Sequence, residues 1–295
     1  MEIRQLKYFA RLCEDLNFSK AAANLYMTQQ ALSQSIKNLE NELGVTLFVR
    51  NKNGVELTDI AEYMLSETKV FLKKYDVMIE NIQDFSLSMK GTIKMAVPPG
   101  ALHHIVPIVM KQFHEIYPEI DFEISEMADL ECEESVLSGK CDLGVSVAPI
   151  DDSRFDFFPL INENAFLLVN RKNPLAVKDM IRFDDLKNEN LLVMDKTFKW
   201  HEEILRRCRN ASVPYSSMHP STLAELVNQN LGVTFLIPYE VNKHICNDTI
   251  AVPIDSEEKF GYSAGLILRK GWPVRHMVSV LVDYIVMNFK DKKLV

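Results

Sequence analysis

The stretch from Phe18 to Arg50, FSKAAANLYMTQQALSQSIKNLENELGVTLFVR, decides how the rest of the chain is read. Ser19 is placed to cap a short helix, Lys20 to Leu25, in which Ala21, Ala22 and Ala23 let another helix approach closely. Thr28 offers a hydroxyl to the unpartnered N–H groups that begin a second helix. That helix runs to about Leu43, and Gly44 supplies the left-handed residue that stops it. Leu32, Ile36, Leu39 and Leu43 recur at i, i+4, i+7 and i+11 and share a face that calls for burial. The opposite face carries Gln29, Gln30, Ser33, Gln34 and Lys37. Amides on a rigid rod can bond bidentately to adenine edges in a DNA major groove. Two short helices, a tight turn and a polar second helix read as helix-turn-helix, with Gln29 beginning the recognition helix. An ordinary helical hairpin with a solvated face has the same pattern.

The rest of the stretch separates these alternatives. Phe18, Ala21, Ala22, Leu25, Gln29, Ala31, Leu32, Ser33, Ile36, Leu39, Glu40, Leu43, Gly44, Leu47, Phe48 and Arg50, with Leu57-Thr58 after NKNGVE, stand at the spacing of LysR-type transcriptional regulators. The chain resembles that family without a gap here. The resemblance implies a winged helix-turn-helix with the wing at Val49 to Glu56. One departure is Gln30, where the family usually has proline; glutamine keeps the helix start and adds a polar group within reach of DNA. Ser19, Thr28, Gln29, Gln30, Ser33, Gln34 and Lys37 are the DNA-binding candidates, with Arg50 and Lys52 as phosphate contacts from the wing.

A chain of 295 residues suits two or three domains. No basic-then-apolar start and no run of roughly 18 apolar residues appears, so a cytoplasmic protein off the membrane is expected. Five cysteines with no CxxC pair, and histidines without ligand spacing, speak against a disulfide framework, a metal site or a cofactor. No nucleophile–base set and no phosphate-cradling glycine loop suggests an enzyme. The net charge of −8 opposes DNA binding, but no acidic residue lies between Asp15 and Glu40. The first sixty residues still balance seven Lys/Arg against seven Asp/Glu. Useful affinity therefore calls for several DNA heads acting together.

Ile3 to Leu16 reads as a supporting helix with Leu6, Phe9 and Cys13 inward. Thr58 to about Ser88 is a long helix. In it Met64, Thr68, Phe71, Tyr75, Met78, Ile82, Phe85 and Met89 alternate by four and three, an a/d seam for a second copy of the chain. From Gly91 the pattern alternates strand and helix, which gives a parallel sheet covered on both faces. Strands are expected at Ile93–Val97, Ile120–Ile124, CDLGVSVAP, Phe166–Val169, Leu191–Met194, VTFLIP and Tyr262–Leu268. Helices follow Pro98-Pro99-Gly100 and cover about Asp129–Ser138, Thr197–Arg209, Ser221–Asn230 and Val274–Asn288.

GTIKMAV, LSGKCDLGVSVAP and ELVNQNLGVTFLIP also resemble the LysR-type effector domain. The resemblance implies two α/β lobes like those of periplasmic solute-binding proteins, with chain crossings near Leu160 to Asn164 and Ser263 to Leu266. The expected organisation is an α/β protein in three parts. Residues 1–58 form an all-α winged helix-turn-helix and 59–90 a dimerisation helix using Met64, Phe71, Tyr75, Met78, Ile82 and Phe85. Residues 91–295 form an effector-binding domain, lobe I from 91–162 and 266–295, lobe II from 163–265. Effector positions carried over are Pro99, Gly100, Ala101, Met127, Ala148, Thr197, Phe198 and His219. In the family a Ser or Thr that helps hold a carboxylate often stands at the position of Gly100, and Met127, Ala148 and Phe198 are apolar, so a less polar ligand, or one held mainly through backbone groups, is expected. His103 and His104 lie near the first loop. Cys208, among Arg206, Arg207 and Arg209, has the charge surroundings of a reactive thiol but the helical position of a core residue. The implied partners are double-stranded promoter DNA with an interrupted inverted repeat, a small-molecule effector, one or three further copies of the chain, and RNA polymerase. A rival reading is a cytoplasmic solute-binding or metabolite-converting protein in which the α/β part carries the activity.

Overall fold

The computed structural model describes residues 1–51, 54–86, 89–99, 105–209, 211–237 and 245–289. It divides into two compact units, Met1–Ser86 with Gly271–Arg275, and Leu87–Lys270 with His276–Val295.

The first unit starts with α1 (Ile3–Asp15), which buries Leu6, Phe9, Leu12 and Cys13. Helix α2 (Phe18–Asn24) follows, and its N-cap is Asn17, whose side chain accepts from Lys20 N at 3.0 Å. The cap expected at Ser19 is therefore displaced by two residues. Phe18 explains the shift: its ring is buried edge-on to Phe48, which requires the helix to begin there. Ser19 lies inside the helix and donates its hydroxyl to Gln29 Oε1 at 2.9 Å. Helix α3 (Gln29–Leu43) is capped by Thr28, which accepts from Ala31 N, and ends at Gly44 with φ +70°. Leu32, Ile36 and Leu39 are buried, whereas Leu43 is 40% exposed. The chain reverses at Gly44, and Leu47 and Phe48 close the core where Leu43 would have done so. Strands β1 (Phe48–Asn51) and β2 (Gly54–Leu57) pair antiparallel as a wing. Glu40 ties the wing to α3 by accepting from Leu47 N at 2.7 Å and Phe48 N at 3.2 Å.

Helix α4 (Asp59–Ser86) starts beneath Thr58, whose hydroxyl accepts from Ala61 N and donates to Thr46 O. Its first turns pack Ala61, Met64 and Leu65 onto the core of this unit. Further along, Phe71, Met78, Ile79 and Ile82 are exposed, while Thr68 and Val77 are buried.

The second unit holds two lobes. Lobe I is a five-stranded sheet in the order β4 (Ile120–Glu126), β3 (Gly91–Val97), β5 (Leu143–Val147), β12 (Gly261–Arg269) and β6 (Phe155–Asn164). The first three strands are parallel, and β12 runs antiparallel to both its neighbours. Helices α5 (Ile105–Ile116), α6 (Asp129–Leu137) and α9 (His276–Phe289) belong to this lobe. Lobe II joins an antiparallel sheet, β10 (Thr234–Leu236), β7 (Phe166–Asn170) and β11 (Thr249–Pro253), to the parallel pair β8 (Asn190–Met194) and β9 (Ser212–Ser217). A bridge between Leu191 and Val233 links the two, and α7 (Lys199–Arg207) and α8 (Pro220–Asn228) complete the lobe. Strands β6, β9 and β11 carry no strong alternation in sequence. β9 is exposed almost throughout, β11 ends on Pro253, and β6 contains Pro159.

Strands β6 and β12 pair along their whole length, from Gly261 opposite Asn164 to Arg269 opposite Phe155, and both connect the lobes. The register slips between Ala264 and Gly265, where Gly265 faces Pro159, a residue with no N–H to give to a ladder. A Cβ on Gly265 would fall 2.1 Å from Phe158 O, so the strands can come this close only over glycine. Gly265→Ala is expected to cost about 1–3 kcal/mol as an overpacked site and to lower the melting temperature seen by calorimetry. An unchanged melting temperature would show that the strand pair is not confined there.

Candidate nucleic-acid interface and interlobe cleft

Because Leu32, Ile36 and Leu39 are fixed inward, α3 turns Gln29, Gln30, Gln34 and Lys37 to solvent, with Thr28 exposed at its start and Ser33 half-buried. The Ser19 hydroxyl holds the Gln29 side chain, and Gln34 Nε2 donates to Asn38 Oδ1 at 2.8 Å. Lys20 is not a free cation: its ammonium lies 3.0 Å from Asp15, whose side chain is almost buried. The Asn24 amide, with Lys20 and Arg11, holds the Asp15 carboxyl below its ordinary range. Sequence spacing kept this carboxylate outside the polar stretch, yet packing α1 beside α2 brings it back. Tyr26, in the turn before α3, is 98% exposed at φ +53°. Nothing in the hydrophobic pattern singles it out, because an exposed aromatic in a turn has no periodic signal. Lys52 lies outside the described residues, as does the side chain of Arg50.

In the second unit, the carboxyl ends of β3, β4 and β5 face those of β8 and β9 across a cleft. This is where open α/β sheets leave room for ligands. A cavity of about 60 Å³ lies there. Its wall is mostly apolar: Pro98 from lobe I, Met194, Phe198, Trp200 and Leu223 from lobe II, and Tyr262 from β12. The exception is Asp129, the first residue of α6, which is 3% exposed. Its Oδ2 accepts from Lys199 N at 3.1 Å and so satisfies an amide at the start of α7, whose own N-cap residue, Phe198, has no capping side chain. Leu130 N donates to Thr197 O at 3.3 Å beside it. The Lys199 ammonium reaches back across the cleft to Glu133 and to Pro149 O, and Ser146 Oγ donates to Glu133 Oε1 at 2.7 Å. The lobes are thus clasped by charge-assisted bonds. Burial pushes Asp129 up to about 6, against the lowering effect of the Lys199 amide and ammonium; Glu133 adds to the rise.

Comparison with known proteins places both units. Residues 3–62 match the model for the bacterial regulatory helix-turn-helix protein of the lysR family, and 88–290 match the LysR substrate binding domain. The chain belongs to the LysR family of transcriptional regulators. The Escherichia coli K12 regulator YbhD is 30% identical over 275 residues, covering 91% of this chain and 86% of its own. The Bacillus subtilis transcriptional dual regulator GltC is 30% identical over 295 residues and 98% of each chain. In fold, the chain is similar to Corynebacterium glutamicum OxyR, in a cysteine-to-serine mutant with hydrogen peroxide bound, at a TM-score of 0.61 and 22% identity over 97% of this chain and 91% of that one. It is also similar to full-length CbnR in complex with its target DNA, at a TM-score of 0.56 and 18% identity over 97% and 99%. As a LysR-family member it is a regulator of transcription, not an enzyme, and its parts are a DNA-binding domain and an effector-binding domain.

Of the cleft positions carried over from sequence, Phe198 lines the cavity. Gly100 and Ala101 lie outside the described residues, as do His103 and His104. Pro99 is buried one residue from the lining Pro98, and Met127 packs into the lobe I core two residues before Asp129. Ala148 precedes cis-Pro149 and donates its N–H to Ser263 O. Thr197 gives its hydroxyl to Asp195 Oδ1 at 2.9 Å, and His219 is exposed at the start of α8. Sequence reasoning missed Asp129, Trp200 and Tyr262, since an acid at a helix start and aromatics in amphipathic segments are ordinary features. Cys208 is buried in the lobe II core, and burial raises its thiol to about 11 in spite of Arg207. The arginines do not make it a thiolate.

The Asp129 shift fixes a pH dependence. Its folded pKa lies above the ordinary value, so the folded state binds more protons between about pH 4 and 6. Stability from this group is complete below pH 4 and is lost as pH rises through 6. Against Asp129→Asn as reference, the wild type should lose on the order of 2–3 kcal/mol from pH 4 to 7.5, read by urea titration at each pH. A constant difference between the two proteins would show that Asp129 does not titrate in this window.

Proposed function

We propose that the chain is a sequence-specific regulator that binds an interrupted inverted repeat as a homo-oligomer and is switched by a small molecule in the interlobe cleft. The observation that carries the DNA part is the outward row of Gln29, Gln30, Gln34 and Lys37 on a helix whose other face is locked into the core. Its amides are the groups that discriminate adenine in a major groove, and the wing supplies a second contact along the backbone. The CbnR complex with DNA supports the same use of the fold.

The homo-oligomer rests on α4. Phe71, Met78 and Ile82 are exposed along one seam of a long helix, and Ile82 is 59% exposed. Tyr75 is partly engaged within the chain, by the ammonium of Lys7 over its ring at 5.7 Å. Met64 belongs to the first unit's own core, so the intermolecular seam begins after it. The side chain of Phe85 lies outside the described residues. A second copy would cover the stripe and double the DNA heads, which a near-neutral head needs. The oligomer is a dimer or a pair of dimers, it contacts RNA polymerase, and it acts in the cytoplasm.

Effector binding would shift the balance between lobe arrangements and with it the spacing of the heads and the bend of the promoter. Buried Cys208, with its raised thiol, favours a ligand over an oxidant as the signal.

Gln29→Ala is expected to weaken specific binding roughly tenfold or more, from loss of about 1–3 kcal/mol at one base. The sedimentation coefficient and the affinity for random DNA should be unchanged; unaltered operator affinity in a gel-shift titration would remove Gln29 from the reading surface. Ile82→Glu should shift the protein toward monomer in sedimentation velocity and weaken operator binding with it. An intact oligomer would place the interface elsewhere.

A further inference from the structure

Taking the interlobe cleft as the effector site, we propose that it selects a small organic amine: an apolar body carrying a protonated nitrogen, with Asp129 as counter-ion. The cavity wall has one carboxylate and, among the described residues, no cationic side chain. The ammonium of Lys199 is already held by Glu133 and Pro149 O. Asp129 Oδ2 accepts from Lys199 N, which leaves Oδ1 to receive a second donor.

Capping alone does not account for an aspartate here. A cap needs one oxygen, and serine or asparagine supplies it without burying a charge. A carboxylate enclosed by Phe198, Trp200, Met194 and Pro98 is costly until a donor meets its second oxygen. A ligand N–H is such a donor. Trp200 and Tyr262, with rings at 5.0 Å and edge to face, add aromatic surface that suits a desolvated cation. A ligand carboxylate would instead meet Asp129 and, behind it, Glu133, with no cationic side chain on the cavity wall among the described residues to offset the repulsion. The cavity admits only a group of a few heavy atoms.

The test uses the full chain in a Trp272→Phe background, so that Trp200 is the only tryptophan. Its emission is titrated at pH 7.5 with isobutylamine, isobutanol and isobutyrate, which differ mainly in the head group. Isobutylamine should bind at least about tenfold more tightly than the other two, as expected for one charge-assisted bond against none. Asp129→Asn and Asp129→Ser, which keep a capping oxygen, should bring the amine within about threefold of the alcohol. Circular dichroism and an unchanged sedimentation coefficient verify that both variants fold. If isobutanol or isobutyrate binds as tightly as the amine, or if the variants keep the amine preference, the ligand class is wrong and the cleft remains the effector site. If none of the three changes Trp200 emission, the cleft reading fails and the amine proposal with it.

Discussion

The amides of a helix's first turn have no partner within the helix, and both functional regions of this chain are arranged around meeting that need. In the first unit the partners are local. Asn17 serves α2, Thr28 serves α3 and Thr58 serves α4, each from just before its helix. The starts are therefore set by nearby sequence, and α3 leaves its turn in a defined direction with Gln29 already held by Ser19. In the second unit the partner for α7 comes from the other lobe, as the carboxylate of Asp129. A helix start that needs an oxygen from across a cleft ties its own order to the closure of that cleft.

The two regions treat charge in opposite ways. The recognition face is neutral amide and hydroxyl with one exposed lysine, and the cation nearest to it, Lys20, is neutralised by Asp15. Such a surface offers hydrogen-bonding groups rather than bulk positive charge, in line with a net charge of −8. The cleft gathers Asp129, Glu133 and Lys199 where water is scarce. An ion in such a place is costly unless a partner meets it, as Lys199 and Glu133 meet each other.

Within the second unit, the paired strands β6 and β12 join the two lobes. Both run between the lobes, their register slips at Gly265 opposite Pro159, and Tyr262 on β12 reaches the cavity. Tyr262 thus places part of the cavity wall on the same strand pair that joins the lobes.

Local pattern by itself determined the helices of the first unit and which face of α3 is buried; the family resemblance decided that they form a helix-turn-helix. Leu32, Ile36 and Leu39 can be buried together on only one face, and Thr28 and Gly44 mark the ends by chemistry that acts within a turn. The alternation from Gly91 likewise declared an α/β fold, since the strand and helix periods are intrinsic to the backbone. Tertiary structure decided what depends on distant partners. Phe18 packing on Phe48 moved the α2 cap from Ser19 to Asn17, Leu47 and Phe48 replaced Leu43 in closing the core, and Asp15 returned to neutralise Lys20. Strands β9 and β11, half polar or ending in proline, form because neighbours already offer them a ladder. Asp129 gives nothing away in sequence beyond an acid at a helix start. Its burial, its bond to Lys199 and its place on an apolar wall exist only once two lobes from separate stretches of chain meet.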